Sequence, residues 1–117
     1  MSAANPFFAL ALACLIVHEL DAVRHAEWRV LPLLARLPSD AGFVVFTALH
    51  VPLLWAIFAA LLGGNQVLAV WIDGFCIIHL GLHLLLRNHP LITFRGWLSW
   101  GLIGGAALAG ALALAHV

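Results

Sequence analysis

Polar and apolar positions along this chain fall into long apolar runs separated by short polar breaks. Four runs, about 6–28, 42–62, 66–87 and 95–116, have the roughly 20 residues a helix needs to cross the hydrocarbon of a bilayer. Pro6 suits the first turn of a helix, where its missing N–H costs nothing. Between the first two runs, Pro32, Pro38, Ser39, Asp40 and Gly42 break helical continuity, and the VLPLLARL segment there is expected to lie along the membrane interface. Gly63-Gly64-Asn65 predicts a tight turn, and Asn88-His89-Pro90 ends the third span. Pro52 inside the second span predicts a kink that frees the carbonyl of Ala48. The opening MSAANPFFALALACLIV resembles a signal peptide but has no basic n-region, so it reads as the start of the first span. The expected fold is all-α, a four-helix transmembrane bundle with residues 1–117 in one domain.

Composition agrees: 65% of the residues are hydrophobic and 9% charged, against about 25% charged in soluble domains. Lysine is absent, and five arginines balance five acidic residues, so no net charge draws the chain to nucleic acid. Arginine placement sets an expected orientation. Arg29 and Arg36 follow span one, while Arg87 and Arg95 border the loop after span three. By the positive-inside rule these two loops are cytoplasmic and both termini lie outside, in a bacterial cytoplasmic (inner) membrane. Trp28, Trp97 and Trp100 then fit the inner interfacial belt and Trp71 the outer one.

Against this apolar background, His18, Glu19, Asp21, Arg24, His25, Glu27 and Arg29 crowd into residues 18–29. Each charged group costs roughly 2 kcal/mol or more near the bilayer centre, so their retention implies partners, water or a metal. Helix rise places His50 about 12 Å inward from the start of span two, with Asp21 and His79 at similar depth from their own arginine ends. Three helices thus bring polar groups to one level in the cytoplasmic leaflet. At about 100° per residue, Cys14, His18, Asp21, His25 and Arg29 form one stripe on span one. Cys76, His79, His83 and Arg87 form another on span three. Glu19 points about a quarter turn from His18, and Glu27 roughly opposite it.

His79-x-x-x-His83 is the i, i+4 pair that lets two imidazoles grip one metal from one helix. With His18, Asp21 and His50 these residues make a candidate transition-metal site for zinc, iron or copper, the carboxylate offsetting the cation. Glu19 is the candidate catalytic base for a metal-activated water. The competing reading is a hydrogen-bonded polar core that fixes helix register. A further alternative is a b-type haem held between His50 and His79 for electron transfer. No HExxH occurs, and the paired HxxHH boxes of membrane di-iron enzymes are absent. Cys14 and Cys76 lie in apolar segments, as buried thiols or soft metal ligands rather than a disulfide. His89 and His116 fit interfacial and solvated positions, and Asp73 is expected to face about a third of a turn away from His79.

Span four has no ionisable group before His116 but carries Gly101-x-x-x-Gly105 continuing to Ala109, with Ala106-x-x-x-Gly110 beside it. Such spacing lets helix backbones approach closely, within the bundle or in a homo-oligomer. The run His18-Glu19-Leu20-Asp21-Ala22, then Glu27-Trp28-Arg29, with the later Thr47-Ala48-Leu49-His50-Val51-Pro52, resembles a family of small uncharacterised bacterial four-span membrane proteins over nearly the whole chain. It is also loosely similar to membrane proteins named for an HxxEE motif, departing from it with His25-Ala26-Glu27. These resemblances imply fold and topology and bring no reaction with them. The residues therefore carry the functional expectation. It is a small membrane protein with a His/carboxylate metal site, a metal-dependent hydrolase or oxidase acting on a membrane lipid or other apolar substrate, or else a non-catalytic accessory subunit.

Overall fold

The computed structural model describes residues 5–90 and 96–116, which form four α-helices and two short 3-10 turns, with no strand among them. Helices α1 (Pro6–Arg24), α2 (Ser39–Leu62), α3 (Gln66–Leu85) and α4 (Trp97–Ala115) are each long and apolar enough to cross a membrane. The protein is an all-α, four-helix membrane protein.

Local chemistry sets the helix starts. The Asn5 side chain accepts hydrogen bonds from the amides of Phe7 and Phe8 at 2.9 and 3.4 Å, ahead of Pro6 in the first turn. Asn65 does the same for the amide of Leu68 at 2.9 Å. Gly64 turns the chain between α2 and α3 with φ of +81°, a left-handed conformation that suits a residue without a Cβ.

The first helix is shorter than the predicted span. His25 caps it, donating from Nδ1 to the Asp21 carbonyl at 2.9 Å, and Ala26 adopts left-handed backbone with φ of 51°. Left-handed backbone at this position ends a helix. The chain continues through the 3-10 turns Glu27–Val30 and Leu34–Arg36, which take up half of the segment expected to lie along the interface. Trp28 leaves the first turn to pack against α2. A Cβ added at Gly42 would lie 2.6 Å from Trp28 Nε1, and the rings of Phe43 and Phe46 flank the indole. α2 runs through Pro52 as a single helix. Arg95 and the side chain of Glu27 lie outside the described residues.

Three helices make the core. Phe8 and Ala11 of α1, Ala69, Ile72 and Cys76 of α3, and Ala106, Ala109 and Ala113 of α4 are buried together. α4 runs antiparallel to α1: Asn5 reaches the Ala113 carbonyl at one end, and Ser99 meets Asp21 at the other. α2 stands outside this trio, and Gly42 is its one buried residue. Its long apolar surface suits contact with lipid tails.

Small residues permit the close α3–α4 contact. A Cβ added at Gly110 would meet the Asp73 carbonyl oxygen at 2.8 Å, too near for either backbone to stay in place. Of the other small-residue stripe, Ala109 is buried in the core and Gly105 faces Cys14 Sγ, whereas a Cβ at Gly101 meets only open space. Gly110→Ala is therefore expected to destabilise the protein by about 1–3 kcal/mol, as overpacking does elsewhere. Gly101→Ala is expected to leave stability unchanged or slightly raised. Thermal unfolding in one detergent, compared across the two variants, checks the difference.

Candidate metal centre

Helices α1 and α3 run side by side with their buried faces together, and this brings three imidazoles into contact. His18 is 1% exposed, and His79 and His83 are 9% exposed each. The ring centroids of His79 and His83 are 4.2 Å apart, with His18 at 4.7 Å from the first and 5.2 Å from the second. One ring nitrogen from each histidine lies within 4.8 Å of the others. Zinc–nitrogen bonds of about 2.1 Å at tetrahedral angles need nitrogens about 3.4 Å apart, inside the 4.8 Å within which these three lie. The i, i+4 spacing on α3 supplies two of the three groups and α1 the third.

The tautomer of His83 follows from its partner. Its Nδ1 lies 3.1 Å from the His79 carbonyl, which only accepts, so Nδ1 carries the proton and the lone pair sits on Nε2. A ligating histidine that donates its other N–H to a backbone carbonyl is the usual way proteins orient such rings. Three imidazoles are a donor set that catalytic zinc sites use, whereas structural zinc sites have four protein ligands.

The remaining predicted site residues form two neighbouring groups. His50 stands outside the triad: its Nε2 lies 2.7 Å from Glu19 Oε2, and its Nδ1 lies 2.6 Å from the Phe46 carbonyl. Both ring nitrogens thus face oxygen atoms, and the Nε2 contact ties the Glu19 carboxyl group of α1 to α2. Glu19, His79 and His83 line one cavity of about 340 Å³, which puts the candidate base and two candidate ligands on a shared wall. Asp21 sits deeper in the helix packing. Its Oδ2 accepts a short hydrogen bond from the Ser99 hydroxyl of α4, and its Oδ1 lies 3.2 Å from His25 Nδ1.

Two groups carried little signal in the sequence. Ser99 was hidden in an otherwise apolar helix, and its partner lies 78 positions away. Asp73 was expected to face away from the histidine stripe, but the buried face of α3 is wide and takes in Ala69, Ile72, Asp73, Cys76, His79 and His83. Neither Asp73 carboxylate oxygen has a hydrogen-bond partner among the described residues. Cys14 and Cys76 are both free thiols, and Cys76 is fully buried.

Removing the Ser99 hydroxyl strips a donor from a buried carboxylate. Ser99→Ala is expected to cost about 1–3 kcal/mol, and Asp21→Asn in the same background to recover part of it. A double-mutant cycle on detergent unfolding midpoints measures that coupling.

A family model described as a family of unknown function, DUF6713, matches residues 4–117. No curated protein and no solved structure matches the chain. With its match running along nearly all of the four-helix chain, the protein belongs to the family of unknown function DUF6713.

Proposed function

We propose that this protein carries a mononuclear transition-metal centre inside the membrane, held by His18, His79 and His83, and that it is a metal-dependent enzyme. The observation that carries the reading is the convergence of three buried imidazoles from two helices, with ring nitrogens within 4.8 Å of one another. Intramembrane ionisable groups of this kind are retained for function. Zinc, copper and iron all suit imidazole donors. A bound cation would supply Lewis acidity at this position.

The chain's own groups supply the rest. Glu19 is the proton acceptor, held in place by His50 and facing the same cavity as His79 and His83. Asp21, bonded to Ser99 and His25, places a carboxyl group one helical turn from His18 and fixes the α1–α4 contact. This arrangement favours the three-histidine site over a haem between His50 and His79, because both nitrogens of His50 already face Glu19 and Phe46.

Elemental analysis of gently purified protein is expected to find near-stoichiometric zinc, copper or iron without a Soret band. His79→Ala and His83→Ala are each expected to lose it, by more than the roughly 10–100-fold typical of changes outside the ligand set. Wild-type protein with metal no higher than its buffer overturns the proposal. If the three rings serve only to fix helix register, the alanine variants lose stability and no metal is lost with them.

The orientation follows from charge. Arg24, Arg29, Arg36 and Arg87 are exposed and gather at one end of the bundle, where α1 and α3 finish. We assign that end to the cytoplasm of a bacterial inner membrane, with both termini outside. Alkaline phosphatase fused after residue 116 is expected to be active, and fused within 31–37 inactive. The reverse pattern overturns the orientation.

A further inference from the structure

The cavity beside the histidines has a length, a lining and a charged rim that together describe its occupant. It lies between α1, α2 and α3, and its walls are apolar apart from Glu19, His79 and His83. Phe46 of α2 faces Phe75 and Leu82 of α3 across it, with Leu31 and Leu86 at the arginine end. Leu31, Phe75 and Leu82 are each about half exposed, so the cavity opens on the flank of the bundle. From Leu86 to Phe75 it extends along α3 by about 16 Å. That is close to the ~15 Å of a single leaflet's hydrocarbon, half of a core about 30 Å thick. Its volume of about 340 Å³ sits at the low end of ligand pockets, which run from roughly 300 to 1,000 Å³. One narrow hydrocarbon chain fits this description.

The rim identifies the other end of the molecule. Arg29 and Arg87 are the chain neighbours of the lining residues Val30 and Leu86; Arg29 donates to Ser39 Oγ at 3.1 Å and Arg87 to the Leu84 carbonyl at 2.7 Å, and each guanidinium keeps further N–H donors. Their guanidinium groups match a phosphate.

We propose that the cavity binds one acyl chain of an anionic phospholipid, its headgroup at the arginine rim and its chain running past His83 and then His79 toward Phe75. The proposal deepens the metal-centre reading, on which it rests for its chemical purpose, by naming what lies against the histidines. Leu86 lies at the rim, His83 about 4.5 Å farther along α3 and His79 about 10 Å. The histidines therefore face chain carbons rather than the headgroup ester. The α2 helix forms the outer wall, and the Glu19–His50 pair ties that wall to α1.

The test uses the full-length protein in nanodiscs containing phosphatidylglycerol with a photoactivatable diazirine at a defined position on the acyl chain. Labelled residues are then mapped by mass spectrometry. A diazirine near the carboxyl end is expected to label Leu31 and Leu86, and one farther along the chain Phe46, Phe75 and Leu82. Labelling there is expected to exceed by several-fold that at Trp55, which is exposed on α2 and outside the cavity lining. Ala22→Leu and Leu82→Trp, which narrow the cavity from different walls, are expected to lower cavity labelling while labelling at Trp55 stays constant. The constant Trp55 signal serves as the folding control.

Cavity labelling no higher than at Trp55, or a reversed order along the chain, overturns the proposal. Equal labelling from phosphatidylcholine overturns the anionic headgroup, and stronger labelling from a diazirine-bearing isoprenyl phosphate overturns the acyl chain. His18→Ala, a change away from the cavity wall, separates this site from the metal centre. Loss of metal with labelling intact supports an independent chain site, whereas wild-type protein that keeps its metal and gives no cavity labelling refutes the chain site alone.

Discussion

A polar side chain in hydrocarbon has no water to turn to, so its partners must come from the protein itself. Most of this structure follows from that constraint. Glu19 finds His50, Asp21 finds Ser99 and His25, and His18 lies against the rings of His79 and His83. Each of these contacts except the one with His25 joins α1 to a different helix. α1 supplies one member of each of these cross-helix contacts and so becomes the hub of the fold, although its own apolar surface resembles that of any spanning segment. The small residues of α4 complete the arrangement by allowing backbones near enough for short side chains such as Ser99 to reach.

The four helices were legible in the sequence because apolar length is a one-dimensional property. The core helices α3 and α4 end within about two residues of the predicted spans. The larger difference at α1 has a definite cause, since apolar length takes no account of the left-handed backbone at Ala26 or the His25 cap. Part of the site was legible too. Stripe geometry put His18 on one face and His79 with His83 on another, and these are the rings that meet. Facing angles alone gave no information about which helix each stripe would meet. His50 shared the expected depth, but its position on the outlying α2 directs it to Glu19. Ser99 left no trace, because a lone serine in a run of alanine, glycine and leucine matches no spacing rule.

Two parts of the bundle differ in character. α1, α3 and α4 are locked by alanine, glycine and cysteine at close approach, where there is little room for rearrangement. α2 is joined to them at Trp28 near its start, at His50 in the middle and through Ile57 and Leu61 near its end. Under the proposed function, histidines fixed beside a lightly attached wall would keep a metal site's geometry while a long, flexible molecule enters and leaves.

The bond between Asp21 and Ser99 has a consequence for how the protein is made. Its acceptor belongs to the first of the four helices in chain order and its donor to the fourth. During synthesis Asp21 has His25 beside it but lacks its Ser99 partner until α4 is translated. The α1–α4 contact therefore forms only after the other helices have been made. A chain cut before α4 would lack the hydroxyl that Asp21 bonds to across the bundle.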